Sequence, residues 1–247
     1  MSNHFTITIN TCNHEIWVER CINSCLVQKY DNFDVVLVDA HSDDKSFEIA
    51  MEYEATFTNF KAHHNEVRLP AVANLFLLAK LSKPNSIIVM VDGDDFLKGP
   101  NVLQKLNKYY GDNNDVWMTY GSYVEWPSLR SVVAHYRAHT AEEIANNTFR
   151  EAPWLASHLR TYRRELVMRI DENDAKDERG NWLYAADQAI MLPCLEMAGV
   201  HSRFIPDILY YYNIGDPNRE TVHHLSEQVK HAKYIRMKKK YQALETL

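Results

Sequence analysis

The chain has 247 residues, 46% of them hydrophobic and 24% charged, which is ordinary for a globular protein able to bury a sizeable core. A formal charge of −6 gives no global attraction to nucleic acid or to an anionic membrane, and no stretch approaches the roughly 18 apolar residues of a membrane span. The balance is uneven: from Thr221 onward six Lys or Arg face two acids, whereas the first 220 residues carry 21 basic against 31 acidic groups. The four cysteines (Cys12, Cys21, Cys25, Cys194) follow no paired metal spacing, and Met1-Ser2-Asn3-His4 opens no basic segment followed by an apolar run. A reducing, cytoplasmic setting is therefore expected.

Phe5 to Ile9 alternates apolar residues with Thr and predicts a first strand. Ile16, Trp17, Cys21, Ile22, Cys25 and Leu26 recur at helical spacing. Phe33 to Asp39 is almost continuously apolar, the pattern of a strand covered on both faces. Ser42 to Tyr53 predicts a helix, with Asp43 and Asp44 at its start, where carboxylates suit the helix dipole. A short strand follows at Phe60 to His64, and then a helix over Ala71 to Leu81 that Pro84 brings to a stop. Ile87 to Val91 is a fourth strand that runs directly into Asp92-Gly93-Asp94-Asp95. This alternation predicts a parallel sheet with right-handed crossovers. The second half is less regular. It predicts a strand over Val116 to Val124, a helix over Pro153 to Met168, and a helix over Asp187 to Met197, kinked at Pro193 and closed by Gly199. A late strand is expected at Phe204 to Tyr212. Thr221 to Tyr241 reads as a long amphipathic helix with Val222, Leu225, Val229, Ala232 and Ile235 along one face.

Two strands end in acid, at Val38-Asp39 and Val91-Asp92. In an open parallel sheet, ligands bind beyond the carboxyl ends of the strands, where strand order reverses. Asp92 and Asp94, two apart across Gly93, can both reach one divalent ion from a turn, and the glycine permits close approach of a ligand to the backbone. Oxygen donors favour Mg²⁺ or Mn²⁺, whose remaining ligands commonly come from water and phosphate, so a diphosphate is the natural partner. An acid-rich turn after a strand is also a common solvated turn, and the residues alone leave both readings open.

In order and spacing these motifs resemble the inverting family 2 glycosyltransferases with the GT-A fold, an α/β, Rossmann-like, mostly parallel sheet flanked by helices. The resemblance runs through Thr11-Cys12-Asn13, Val38-Asp39-Ala40-His41-Ser42-Asp43-Asp44, Arg68, Asn74 and Val91-Asp92-Gly93-Asp94-Asp95. It continues through Ser157-His158-Leu159-Arg160-Thr161 and from Ala186-Asp187 to Gly199. It implies one domain over 1–247, with 1–125 binding a nucleotide-sugar and 126–247 facing the acceptor. On this resemblance Asp39 meets the donor's base, commonly uracil, and Asn10 and Thr11 line it. Arg68 lies near base or phosphate, Asn74 belongs to the donor side, Asp92 meets ribose or metal, and Asp94 is the metal ligand. Asp187 acts as general base on the acceptor hydroxyl, and His223 or His224 supplies a third metal ligand. Cys12 stands where the family often has a stacking aromatic, and Ala186 where it often has Glu. Trp154 and Arg160 fall on the acceptor side. The function expected is transfer from a UDP-sugar to a hydroxyl acceptor, a saccharide or, alternatively, a hydroxymethylated base in DNA tracked by the basic C-terminal helix. A nucleotide-sugar-binding module without catalysis is a further alternative.

Overall fold

The computed structural model describes residues 2–111, 115–132, 136–217 and 224–247. Its first half alternates as the periodicity requires: β1 (Phe5–Thr11), α1 (Val18–Leu26), β2 (Phe33–Asp39), α2 (Ser46–Thr56), β3 (Phe60–His64), α3 (Ala71–Leu81) and β4 (Ile87–Asp92). There follow β5 (Phe96–Leu97), α4 (Val102–Tyr110), β6 (Met118–Gly121), β7 (Val124–Trp126), α5 (Ala141–Ala145), β8 (Ser157–Arg163) and α6 (Arg164–Val167). The chain then forms α7 (Ala186–Ala198), β9 (Ser202–Phe204), β10 (Tyr210–Asn213) and α8 (Leu225–Met237). Seven strands form the central sheet in the order β3-β2-β1-β4-β8-β6-β9, and a small sheet, β5-β10-β7, stands beside it. β1 pairs in parallel with both β2 and β4, so strand order reverses at β1. β8 alone runs antiparallel to its neighbours β4 and β6.

The apolar strands divide their side chains between two cores, as a period of two demands. Val35 and Leu37 of β2 join Phe5, Ile7 and Ile9 of β1 and the buried face of α1 on one side. Val36 and Val38 join α3 and α7 on the other. β4 does the same, with Ile87, Val89 and Val91 in the first core and Ile88 and Met90 in the second. A sheet covered on both faces is thereby fixed in register, since a one-residue slip would exchange the two cores.

Three expectations are corrected. The helix predicted over Pro153 to Met168 is instead β8, with a helix only at Arg164–Val167. Its polar residues are strand-compatible because distant partners satisfy them: Thr161 Oγ1 lies 2.6 Å from Thr119 Oγ1 and 2.7 Å from the Tyr110 hydroxyl. The single late strand is two, β9 and β10, assigned to different sheets. In α8 the apolar stripe does not pack into the core throughout. Ile235 is buried, but Leu225 and Val229 are 56% and 49% exposed. Val222 lies outside the described residues.

The C-terminal segment is fastened by a buried ion pair. Arg150 Nε and Nη2 donate to the two oxygens of Glu196 on α7, at 2.5 and 2.9 Å. Arg150 Nη1 donates to the carbonyls of Ile235 and Lys238, and the Tyr241 N–H donates to Glu196. Removing one partner of a buried pair strands the other charge. Glu196→Ala should therefore cost about 3–5 kcal/mol in urea unfolding; a cost under about 1 kcal/mol would show that the pair does not hold the segment.

Candidate active site

The parallel strands deliver their ends together. Asn10 pairs with Asp92 and Thr11 with Asp39, so the carboxyl ends of β1, β2 and β4 lie side by side. Because β8 is antiparallel, Arg160 pairs with Met90 and comes to the same end of the sheet. The first residues of α7 complete the wall. A cavity of about 900 Å³ results, and Asn10, Thr11, Arg68, Asn74, Asp92, Asp94, Trp154, Arg160 and Asp187 all line it. Leu225, Val229 and Ala232 of α8 line it too, which is where the exposed part of that helix's apolar stripe is placed.

Polar contacts fix the loops at the carboxyl ends of β1, β2 and β3. Asn74 Nδ2 donates to Asn10 Oδ1 at 3.0 Å, and Asn65 Nδ2 donates to Asn74 Oδ1 at 2.8 Å. Arg68 Nη2 donates to the His41 carbonyl and to Asp43, at 3.0 and 2.7 Å. Asp39 is fully buried behind this wall. Its carboxylate accepts from the Ser42 N–H at 2.9 Å and from the Ser42 hydroxyl at 2.5 Å, and lies 2.8 Å from His64 Nδ1. In this arrangement Asp39 braces the loop whose Ala40 faces the cavity. Gly93 is required by space: a Cβ there would meet the Thr11 side chain and stand 2.9 Å from His14 Nδ1.

The acids fall into two groups. Donor atoms of His14, Asp94 and Asp216 lie within 4.8 Å of one another, as do those of Asp92, Asp95 and His158. Burial lowers the pKa of His14 and pushes that of His158 well down, with Arg160 adding to the latter, so both imidazoles stay neutral. Carboxylate oxygens are donors that suit Mn²⁺ and Mg²⁺, and a neutral imidazole beside them can join in ligating a transition metal but not Mg²⁺. Asp92 is raised to about 6, first by burial, with Asp94 and Asp187 adding to the shift and Arg160 opposing it. Asp95 is pushed well above the carboxylate range by burial and by its neighbours Asp94 and Asp92. Its Oδ1 accepts from the Asn213 N–H at 2.6 Å. Such like-charge crowding in a partly dry crevice is what a bound cation relieves.

His14 and Asp216 were not among the residues singled out from the sequence, and His158 entered only within the motif Ser157 to Thr161, with no role given to it. Asp216 stands three residues past the end of β10, so it does not terminate an apolar run as Asp39 and Asp92 do. His14 had no comparable signal. His223 lies outside the described residues; His224 lines the cavity, its ring stacked at 4.7 Å on Tyr184. The C-terminal cations are partly committed internally. Arg236 donates to the carbonyls of Arg150 and Ala152, Lys238 to those of Asn173 and Lys176, and Lys240 to Asn147 and Glu151. No helix among the described residues is long and apolar enough to cross a membrane.

Against known proteins, the model of glycosyl transferase family 2 matches residues 6–171. EpsH of Bacillus subtilis, named as a glycosyltransferase, is 29% identical over 112 residues, 45% of this chain and 31% of that protein. This chain spans less than half the length of the curated relatives it matches. Among solved structures, S. aureus TarS 1-349 in complex with UDP superposes with a TM-score of 0.64 at 18% identity, over 85% of this chain and 60% of that one. The mannosyltransferase PcManGT of Pyrobaculum calidifontis, in complex with GDP-Man and Mn²⁺, gives 0.67 at 17% identity, over 98% and 66%. The fold is thus GT-A, the α/β architecture expected from the sequence.

Because ionised Asp92 is disfavoured in the folded protein, its folded pKa of about 6 stands above the ordinary 3.8. The folded state pays for that ionisation increasingly from about pH 4 to pH 6, and fully above. In chelator-treated protein Asp92→Asn should therefore be more stable at pH 8, by roughly 1–3 kcal/mol, with the gain vanishing near pH 4. Thermal melts across pH that show no gain, or a gain largest at low pH, would contradict the crowding.

Proposed function

The chain belongs to glycosyl transferase family 2, and from that premise we propose that it moves a sugar from a nucleoside-diphosphate sugar to a hydroxyl acceptor, with inversion at the anomeric carbon. The observation that carries this reading is that Asp92, Asp94 and Asp187 open onto one cavity. The first two belong to the strand-end turn where a diphosphate fits, and the third heads a helix at the same cavity. Asn10, Thr11, Arg68 and Asn74 hold the nucleoside end, UDP being the expected carrier, and Asp39 keeps the neighbouring loop in place. Asp94 is the ligand for Mn²⁺ or Mg²⁺, with His14 and Asp216 beside it and Asp92 towards the ribose. The ion, when bound, neutralises the leaving diphosphate.

Asp187 takes the acceptor's hydroxyl proton while the acceptor oxygen attacks the anomeric carbon and the bond to the diphosphate breaks. Residues 1–125 then serve the donor, and the later part, with Trp154 beside the cavity, serves the acceptor. A saccharide acceptor is favoured over DNA, because three of the six C-terminal cations, Arg236, Lys238 and Lys240, make internal hydrogen bonds and are not committed to tracking phosphates. Free thiols at all four cysteines fit a cytoplasmic site of action.

Calorimetry tests the donor assignment. UDP should bind the wild type with Mn²⁺ at least about tenfold more tightly than in EDTA, and Asp94→Ala should lose most of that difference. Equal affinity with and without metal, in both proteins and for both UDP and GDP, would sink the reading.

A further inference from the structure

Arg160 is an expensive residue where it stands. It lies on a central strand, with its side chain 8% exposed, and a guanidinium there persists only if it is paired. Its Nε donates to the Ala156 carbonyl at 3.2 Å, and its Nη2 donates to Asp187 Oδ2 at 3.2 Å. The other oxygen of Asp187, Oδ1, accepts the Gln188 N–H at 2.8 Å. Gln188 is itself held from α8, since Arg236 Nε donates to its side-chain oxygen at 3.1 Å. Both oxygens of the carboxylate therefore have a donor, one from the sheet and one from its own helix, and its plane is fixed. The exposures are asymmetric: the Asp187 side chain is 32% exposed, so the cation sits in the wall and the carboxylate opens on the cavity.

We propose that Arg160 is a positioning residue, whose guanidinium orients the carboxylate of Asp187 towards the acceptor hydroxyl and keeps that carboxylate in register with the donor turn at Asp92. This rests on the reading of Asp187 as the proton acceptor. The register follows from the sheet, because Arg160 pairs with Met90, two residues before Asp92. A residue of the neighbouring strand β8 thus joins the acid at the end of β4 to the acceptor base through one rigid sheet. Arg160 neither gains nor loses a proton in the step. The acceptor O–H bond breaks to Asp187, the new glycosidic bond forms, and the sugar–diphosphate bond breaks. An ion pair that merely closed α7 onto the sheet would not need the carboxylate to remain open to the cavity.

The test compares wild type, Arg160→Gln, Arg160→Lys, Asp187→Asn and the double variant Arg160→Gln/Asp187→Asn. The assay follows consumption of UDP-GlcNAc, UDP-glucose, UDP-galactose and GDP-mannose with Mn²⁺, water serving as acceptor, alongside calorimetry with UDP. Misplacing a catalytic group by about 1 Å costs on the order of 10²-fold, so Arg160→Gln should lower kcat about 10–100-fold. KM and UDP affinity should change several-fold less than kcat, since Arg160 donates to Ala156 and Asp187 and acts on Asp92 through its charge alone. Arg160→Lys should recover part of kcat, and the double variant should be no slower than Asp187→Asn alone, because both changes disable one unit.

Three results would overturn the proposal: kcat within twofold of wild type, UDP affinity falling in step with kcat, or a double variant slower by the product of the single effects. If Arg160→Gln does not fold, Arg160→Lys decides by the same split between kcat and KM. Failure of the underlying reading looks different: the wild type itself would neither bind UDP or GDP with Mn²⁺ nor consume any of the four donors, and both claims would fall together.

Discussion

Four carboxylates, those of Asp92, Asp94, Asp95 and Asp187, gather at one end of the central sheet, and Arg160 is the buried cation placed among them. Concentrating negative charge in a partly desolvated crevice is unfavourable, and burial first, with the neighbouring carboxylates adding, raises the pKa of both Asp92 and Asp95. The scaffold has to hold the acids together against their repulsion. It does so with strands buried on both faces, whose register is locked by two separate cores. The local instability is consistent with a site arranged for something that arrives later, a divalent ion and a diphosphate. The two apolar cores of the sheet offset the stability given up at the crevice.

The topology explains why these groups meet at all. β1 lies at the reversal of strand order, and its neighbours β2 and β4 end at the same level. A parallel pair alone would bring only donor-side residues. The antiparallel insertion of β8 beside β4 returns the chain to the carboxyl end and delivers His158 and Arg160 there, from a segment about seventy residues later. The helix carrying Asp187 then packs over the same face through α3 and the second core. Residues about seventy positions apart are thereby joined at one end of one sheet.

Much of this was legible in the sequence, and the reasons differ from residue to residue. β2 and β4 were readable because strands covered on both faces are continuously apolar and end abruptly, which exposed Asp39 and Asp92 as strand-end acids. α3 and α7 carried clear stops in Pro84 and Gly199. β8 was not readable. Thr161 is acceptable in a buried strand only because Tyr110 and Thr119, 51 and 42 residues away, supply its hydrogen bonds. No local pattern records such partners. Leu225 and Val229 were legible as part of one apolar helix face, but helical spacing cannot tell a cavity wall from an interior. The association of His14 with Asp94 and Asp216 joins three loops distant in sequence, and only the packed fold brings them within reach. Asp39 was found by its position, but its full burial and its bonds to Ser42 and His64 depend on the loop conformation.

The central claim is that the turn at Asp94 is where metal and diphosphate meet. Anomalous diffraction from crystals soaked with Mn²⁺ and UDP tests it most directly. One manganese peak should lie within coordination distance of the Asp94 carboxylate, about 2.0–2.4 Å. The UDP phosphates should lie on the same ion, and the uracil should lie among Asn10, Thr11 and Arg68. A nucleotide bound elsewhere, or manganese absent from Asp94 while UDP occupies the cavity, would contradict it.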